Sequence, residues 1–593
     1  MASVTLPQSN ESLMENAVRL LRRGNLAQAR KAIQNLLQDN PRHPEALHLL
    51  GVVLFQSGDL IRAKSSLERA LLFRKSEDLY CHYGAVLRGL KCHDQALNSY
   101  DRALAINPGH VVALYNRGNL LYELGRFAES AASYDRAIGN DPSNVEALLN
   151  RGIVLHDLKR FDAAMRSHDS FLALKPDHAL AWSNRGNTLR CLRRFEQALT
   201  NCERALRVSD SCADAHLVKG MVQKDLKHFS QSLHANAKCL SIVPDSPRAW
   251  VNRGAALQGL GRFDEALSGY RRAWTACPGH AAAPWNEALL LLLMGDYASG
   301  WEKYEWRWQN DVAAAREKNS AFPLWLGKES LVGKTILLQA EQGLGDTIHF
   351  CRYTAAVAAL GATVVLQVQP ELKSLLSSLD GVSILLAEAD EPPHVDYRCP
   401  LLSLPLALGS RLERIFAPRQ YLFAAEARCQ AWAKTLAERT TSRVGLVWAG
   451  NPSHRNDHLR SIPLALLLER LRGEFVCLQK GIDSGEGDAL AQSGRIIFFG
   501  DDLHDFSDTA ALIANLDLVI SVDTAVAHLA AAMGKPTWIL LPHIPDWRWL
   551  LEREDSPWYP SVRLFRQSPA WDWGEVLDRV AEALAQRQLG HNT

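Results

Sequence analysis

A small residue returns at a fixed interval through the first half of the chain, and that interval dictates what this half can fold into. Gly84, Gly118, Gly152, Gly186, Gly220 and Gly254 each follow the previous one by 34 residues; Ala288 continues the register and Gly51 leads into it at a spacing of 33. Twelve residues beyond each comes a second small residue: Ala63, Ala96, Ser130, Ala164, Ala198, Ser232, Ala266 and Gly300. Pro108, Pro142, Pro176, Pro244 and Pro278 recur 24 residues beyond the first. Two small positions let a pair of helices approach closely, and a proline, lacking an N–H, closes the second helix. One such pair cannot bury its apolar face alone, so neighbours must stack into a solenoid with an extended concave surface.

The period is similar to that of the tetratricopeptide repeat, a helix–turn–helix unit, and stretches such as ALYNRGNLLYELGRFAESAASYDRAIGNDPSN carry its small, aromatic and proline positions. About eight or nine units fit residues 12–310. Equivalent positions of stacked repeats line up, so Asn116, Asn150, Asn184, Asn252 and Asn286, each two residues before a register Gly or Ala, form a ladder of amides; Val218 breaks it. Two readings stay open. The ladder binds an extended acceptor, as the resemblance to the arm of eukaryotic O-linked N-acetylglucosamine transferases implies, or asparagine is simply common at this repeat position.

After Trp325 the period disappears and apolar, β-branched runs alternate with helical ones. Strands are expected at 335–339, 363–368, 382–386, 443–447, 475–478, 495–499, 518–522 and 537–541. This pattern belongs to parallel sheets covered by helices on both faces. The runs form two groups, separated by a helical connector at 425–439, so two sheet lobes are expected at 331–439 and 440–593, after a linker at 311–330. The fold class read from the sequence is therefore α + α/β. The C-terminal helix, 573–588, is expected to cross between the lobes, with Trp547, Trp549, Trp558, Tyr559, Trp571 and Trp573 packing it or stacking on a base or sugar.

Polar turns at the carboxyl ends of the strands are where open α/β sheets place ligands. In LQAEQGLGDTIHFCRY, Gly343 and Gly345 make a tight turn that ends on Asp346. A dinucleotide fingerprint would need glycine at position 348, where Ile348 stands, and Gly333-Lys334-Thr335 precedes its strand, so neither phosphate-loop motif applies. Asp346 caps the following helix or faces the cleft as a general base. His349 and Tyr353 follow it on the acceptor side. In DLVISVDTAVAHLAAAMGKPTWILLP, Asp523 or Thr524 caps a helix whose first amides, on Ala525, Val526 and Ala527, suit a phosphate. His528 is either a buried hydrogen-bonding residue or a ligand contact. The loop VWAGNPSHRNDHLRSIP supplies Arg455, His458 and Arg460, and Gln479 and Lys480 end the next strand, within reach of a base or ribose.

Together these segments resemble the GT-B glycosyltransferases, in particular the lipopolysaccharide heptosyltransferases, over roughly residues 330–570. The resemblance implies two Rossmann-like lobes, Asp346 as base, and donor phosphates bound by Asp523, Thr524, Ala525 and His528. Ala525 stands where that family usually has glycine, and the family lacks a repeat arm. Repeats joined to such a domain look like bacterial protein glycosyltransferases of the flagellin-modifying type. That likeness implies a flagellin acceptor held by the arm and a nonulosonic acid donor activated as cytidine monophosphate, the sugar passing to Ser/Thr hydroxyls with inversion. No cofactor is expected beyond the nucleotide sugar, and with no Asp-x-Asp pair no metal is expected. The alternatives are a lipopolysaccharide or capsule transferase and a non-catalytic scaffold.

Bulk properties narrow the partners. With 66 basic and 65 acidic residues the formal net charge is +1, which gives no global attraction to nucleic acid or an anionic membrane. The chain starts without a basic, then apolar, signal segment, and no apolar run approaches the length of a bilayer span. Eleven cysteines without a CxxC pair fit reduced thiols, so a cytoplasmic protein is expected.

Overall fold

The computed structural model describes residues 10–309, 322–440, 443–452, 457–482 and 484–591. The chain forms two compact units, residues 1–244 and 245–593.

The first unit is helical. Its described helices run from Asn10–Arg22 to Phe229–Ile242 and pair as antiparallel hairpins. The small residues do what their spacing requires. A Cβ added to Gly118 would lie 2.6 Å from the Tyr134 ring, and one added to Gly152 would lie 2.5 Å from His168, so the residue sixteen positions on rests directly on the glycine backbone. Ser130 Oγ, in the second small position, donates to the Gly118 carbonyl at 2.7 Å. Each hairpin turns through one left-handed residue, supplied by glycine at Gly24, Gly58 and Gly125 but by Lys91, Lys159, Arg193 and Lys227 in the others. Adjacent repeats are also tied by ions. Arg151 donates to Asp135 of the preceding repeat and, at 2.6 Å, to Ser167 of its own, and Arg117 and Arg185 repeat the pattern with Asp101 and Asp169.

The second unit opens with two more hairpins, Pro247–Gly259 with Phe263–Ala276 and Ala282–Leu293 with Tyr297–Tyr304. The array expected over 12–310 is thus divided between the units. The reason is chemical: Tyr297, Trp301 and Tyr304 are at most 2% exposed because they pack against Phe350, Trp547 and Trp558 of the sheet domain.

Among the described residues ten strands follow, in two wholly parallel sheets. The first holds β1 (Thr335–Gln339), β2 (Thr363–Val368), β3 (Ile384–Ala387) and β4 (Tyr397–Pro400) in the order β3-β2-β1-β4. The second holds β5 (Val444–Val447), β6 (Phe475–Cys477), β7 (Ile496–Phe498), β8 (Leu518–Val522), β9 (Thr537–Leu541) and β10 (Val562–Arg566) in the order β10-β9-β8-β5-β6-β7. The connector is the helix Glu426–Arg439. The α + α/β class holds. Sequence reading missed β4 and β10, both short and interrupted by arginines, Arg398 in β4 and Arg563 and Arg566 in β10. The segment expected as a linker, 311–330, is in part structural. Trp325 is buried and its N–H donates to the Arg398 carbonyl at 2.8 Å, while 310–321 lie outside the described residues. The final helix, Trp573–His591, buries Val576, Leu577 and Val580 in the core of the second sheet, not across the lobes.

In each sheet the order reverses once, between β1 and β4 and between β5 and β8. At such a switch point the loops beyond the strand ends part and leave a crevice. The turn carrying Asp346 follows β1, and the Asp523–Thr524 turn follows β8.

Candidate functional site

The two turns meet. Gly343 caps the helix Leu344–Phe350, and its N–H donates to Asp346 Oδ2 at 2.9 Å, so the capping reading of Asp346 is realised. Next to it, a Cβ on Gly345 would lie 3.1 Å from His528 Cδ2 and 3.3 Å from Ala525 Cα. Glycine is what lets the start of one helix touch the start of the other. Across the contact, Thr524 caps the helix Ala525–Ala532, its hydroxyl accepting the Ala527 N–H at 3.4 Å. Asp523, Thr524, Ala525 and Val526 are partly exposed, whereas Ala527 and His528 are buried. A carboxylate from one lobe and a helix N-terminus from the other therefore stand side by side, both partly exposed.

Arg460, which follows β5, reaches the same helix start. Arg460 Nη1 donates to the Asp523 carbonyl at 2.7 Å and its Nε reaches Asp457 at 3.2 Å, which carries a guanidinium across the second switch point. Arg455 lies outside the described residues. Gln479 does not present its amide to a ligand: it is largely buried, and its Oε1 accepts the N–H groups of Trp448 and Ala449 at 2.8 and 3.0 Å. It shapes the β5 loop instead. Lys480 is exposed, with Nζ donating to the His504 carbonyl at 3.1 Å.

Further charges at these turns come from the aromatic segment for which the sequence offers packing or base and sugar stacking. In Asp546-Trp547-Arg548-Trp549, Arg548 ion-pairs with Asp346 and donates from Nη1 to Asp546 at 2.8 Å. Burial opposes its charge, yet Asp546 and Asp346 hold its pKa above the ordinary value. Its Nε has no hydrogen-bond partner. Asp523 is raised to about 6 by burial and then by the Asp546 charge, against the pull of Arg460. The available signal was an acid two residues before an arginine inside an aromatic cluster; its relation to Asp346 is visible only in three dimensions.

Behind these groups runs a buried chain. Tyr559 Oη lies 2.9 Å from Nδ1 of both His528 and His349. A phenol has one proton, so it donates to one imidazole and accepts from the other, and the two histidines hold opposite tautomers. Burial, and then nearby arginines, depress both histidines far below the ordinary value, so both are neutral. His349, expected on the acceptor side, is fully buried and cannot touch an acceptor; it orients Tyr559. Tyr353 is likewise buried against Ser410. Arg352, fully buried, bridges the lobes by donating to the carbonyls of His349 and Trp558 and to Tyr421 Oη.

The ladder asparagines are all half-buried. In the first unit Asn116 donates to Cys81 Sγ at 3.7 Å, Asn150 to Asn119 at 2.9 Å, and Asn184 Nδ2 has no partner. In the second, Asn286 donates to the Ala282 carbonyl of its own helix. Asn252 shares their register and burial. Among the described residues no cluster of His, Cys, Asp or Glu could hold a metal ion, and no helix is long and apolar enough to cross a membrane.

Comparison with known proteins falls on the same two regions. The tetratricopeptide-repeat profile matches residues 14–78, 91–144 and 115–179. The profile of glycosyltransferase family 9 (heptosyltransferase) matches residues 504–540, the span that carries β8, the Asp523–Thr524 turn and its helix. The chain resembles a tetratricopeptide-repeat glycosyltransferase. Protein FlbA of Caulobacter vibrioides is 30% identical over 324 residues, 50% of this chain and 54% of that protein. An N-terminal acetyltransferase A complex subunit-like protein of Schizosaccharomyces pombe is 26% identical over 126 residues, 21% of this chain and 18% of that one. The chain thus spans about half the length of the first relative and less than a fifth of the second. Among solved structures, a tetratricopeptide repeat protein from Parabacteroides merdae is 20% identical, covering 42% of this chain and 99% of that one at a TM-score of 0.34.

Proposed function

We propose that the chain is an inverting GT-B glycosyltransferase that moves a sugar from a nucleotide-activated donor to Ser/Thr hydroxyls of a protein presented by the repeats. The acceptor we propose is flagellin, modified in the cytoplasm before export, and the donor a nonulosonic acid activated as cytidine monophosphate; the family resemblance motivates both. One observation supports the enzymatic reading: Gly345 meets Ala525, so Asp346, the next residue, lies close to a helix N-terminus of the other lobe.

Chemistry follows from that arrangement. An acceptor hydroxyl is a weak nucleophile at neutral pH, and Asp346 takes its proton as the new bond to the anomeric carbon forms. The bond from that carbon to the phosphate oxygen breaks, and the electron pair leaves with the nucleotide. The first-turn amides at Ala525 and Val526 and the guanidinium of Arg460 meet the growing phosphate charge. Arg548, shared between Asp346 and Asp546, keeps the base oriented. A single displacement inverts the anomeric centre. These fixed positive groups make a metal unnecessary, so activity is expected to survive EDTA.

The test is a panel of CMP-, UDP-, ADP- and GDP-activated sugars, scored for donor hydrolysis and for mass added to purified flagellin. Asp346→Ala is expected to abolish transfer while nucleotide binding stays within about twofold, and Arg460→Ala to weaken that binding. Turnover of Asp346→Ala near that of the parent removes it as the base. Transfer to a lipopolysaccharide or capsule acceptor and not to protein decides for the glycan reading, and no hydrolysis of any donor leaves a scaffold.

A further inference from the structure

The first sheet's switch point is already filled. Crevices of this kind ordinarily receive a ligand, but between β1 and β4 the guanidinium of Arg307 occupies the space, carried there by the turn Glu305–Gln309 that ends the last repeat. Arg307 is 4% exposed and all five of its N–H groups are used. Nε and Nη2 grip Glu341 at 2.8 and 3.0 Å, Nη2 also donates to Ser403 Oγ at 2.6 Å, and Nη1 donates to Glu305 at 2.6 Å and to the Tyr304 carbonyl at 3.3 Å. Glu341 accepts in addition the Leu402 N–H at 3.0 Å, so the pair bolts the loop after β1 to the loop after β4. Glu341 stands two residues before the Gly343 cap of the Asp346 helix.

The same repeat reaches Asp346 from the other side. Trp301 meets Trp547 edge-on at 5.1 Å, Tyr297 Oη accepts the Trp558 indole N–H at 3.1 Å, and the Arg548 guanidinium lies 4.3 Å from the Trp547 ring. Arg548 is the ion partner of Asp346. One short element therefore braces the turn bearing Asp346 through Glu341 and braces its counter-charge through Trp547.

We infer that the last repeat is a positioning element of the catalytic turn, with Arg307 acting through Glu341 to set where Asp346 stands. The inference rests on the proposed role of Asp346. An array that served only to deliver an acceptor would need no buried ion pair inside the transferase domain. A five-donor fork closed on a carboxylate is a rigid spacer, and replacing it by an apolar side chain frees the loop while leaving the donor-binding lobe untouched.

The test uses the full chain with Arg307→Met and with Arg307→Met/Glu341→Met. The double variant matters because a lone Glu341 left buried can unfold the domain, whereas removing both leaves only Glu305, which is half-buried and keeps its contact with Ser403. Two readouts are taken: amide hydrogen exchange at residues 342–347, and steady-state hydrolysis of whichever nucleotide sugar of the panel the parent turns over fastest. Both variants are expected to exchange those amides at least tenfold faster with the second sheet unchanged, and to lose kcat on the order of 10²-fold at constant KM, as a displaced base does. A double variant with parental exchange and kcat overturns the inference, as does a loss confined to thermal stability. If the parent hydrolyses no donor, the transferase reading fails on its own, and exchange alone decides whether Arg307 positions the turn.

Discussion

Asp523 makes the site sensitive to pH. Its pKa, raised to about 6 from an ordinary 3.8, means that its charged form is disfavoured in the folded protein. The sign follows. The penalty is absent below pH 4, complete above about 6, and stability from this group falls as pH rises through that window. The same charge repels a donor phosphate at the Thr524 helix start, so nucleotide affinity is expected to tighten on the order of tenfold between pH 7.5 and pH 5, one pKa unit being worth a factor of ten. The groups facing it from the elements around it are Arg460, Asp546, Arg548 and His528, and His528 is already neutral across this range. Asp523→Asn is expected to bind CMP tightly at both pH values, measured by calorimetry. The ligand's own phosphate titrates alike in both proteins, so equal slopes for parent and variant exclude Asp523 as the source. Arg548→Lys tests the neighbouring pair. Lysine keeps the charge but lacks the planar fork that spans Asp346 and Asp546, so kcat is expected to fall roughly tenfold or more with KM unchanged.

Helix hairpins were the most legible elements, because a repeated small residue is a direct record of backbones in contact: Gly118 under Tyr134 and Gly152 under His168 fix the period and the packing together. Their turns were not legible. The left-handed position is glycine at Gly58 and Gly125 but lysine or arginine at Lys91, Lys159, Arg193 and Lys227, residues that announce no turn. That disguise is itself testable. An L side chain in the left-handed region is disfavoured by about 1 kcal/mol or more, and glycine returns part of that through its freer unfolded state. Lys159→Gly is therefore expected to stabilise the first unit by about 0.5 kcal/mol, read as a higher urea midpoint at constant slope. Gly118→Ala, whose new methyl meets the Tyr134 ring, is expected to destabilise it by about 1–3 kcal/mol.

At the scale of the molecule, sequence located eight of the ten described strands and both turns of the candidate site, since strand ends followed by Gly-Leu-Gly-Asp or Asp-Thr-Ala-Val are local signals. It could not locate what depends on distant residues: the pairing of Asp346 with Arg548, the burial of His349 behind Tyr559, or the place where the repeats end and the sheet domain begins. The small-residue period carries on to Gly300, but the aromatic side chains of that last repeat belong to a different core. Truncation exposes the difference. A chain of residues 245–593 keeps Tyr297, Trp301, Tyr304 and Arg307, and is expected to melt cooperatively and to hydrolyse the donor at the parental rate while failing to modify protein. A chain of residues 331–593 follows the sequence boundary, loses all four, and leaves Glu341 without its cation. An unpaired buried charge costs about 3–5 kcal/mol and each large aromatic removed from a core a similar amount, which together match or exceed the 5–15 kcal/mol that holds a typical domain. It is expected to be unfolded by circular dichroism. If it melts within a few degrees of the longer piece and turns over donor equally, the last repeat is an appendage and the boundary lies where the period ends.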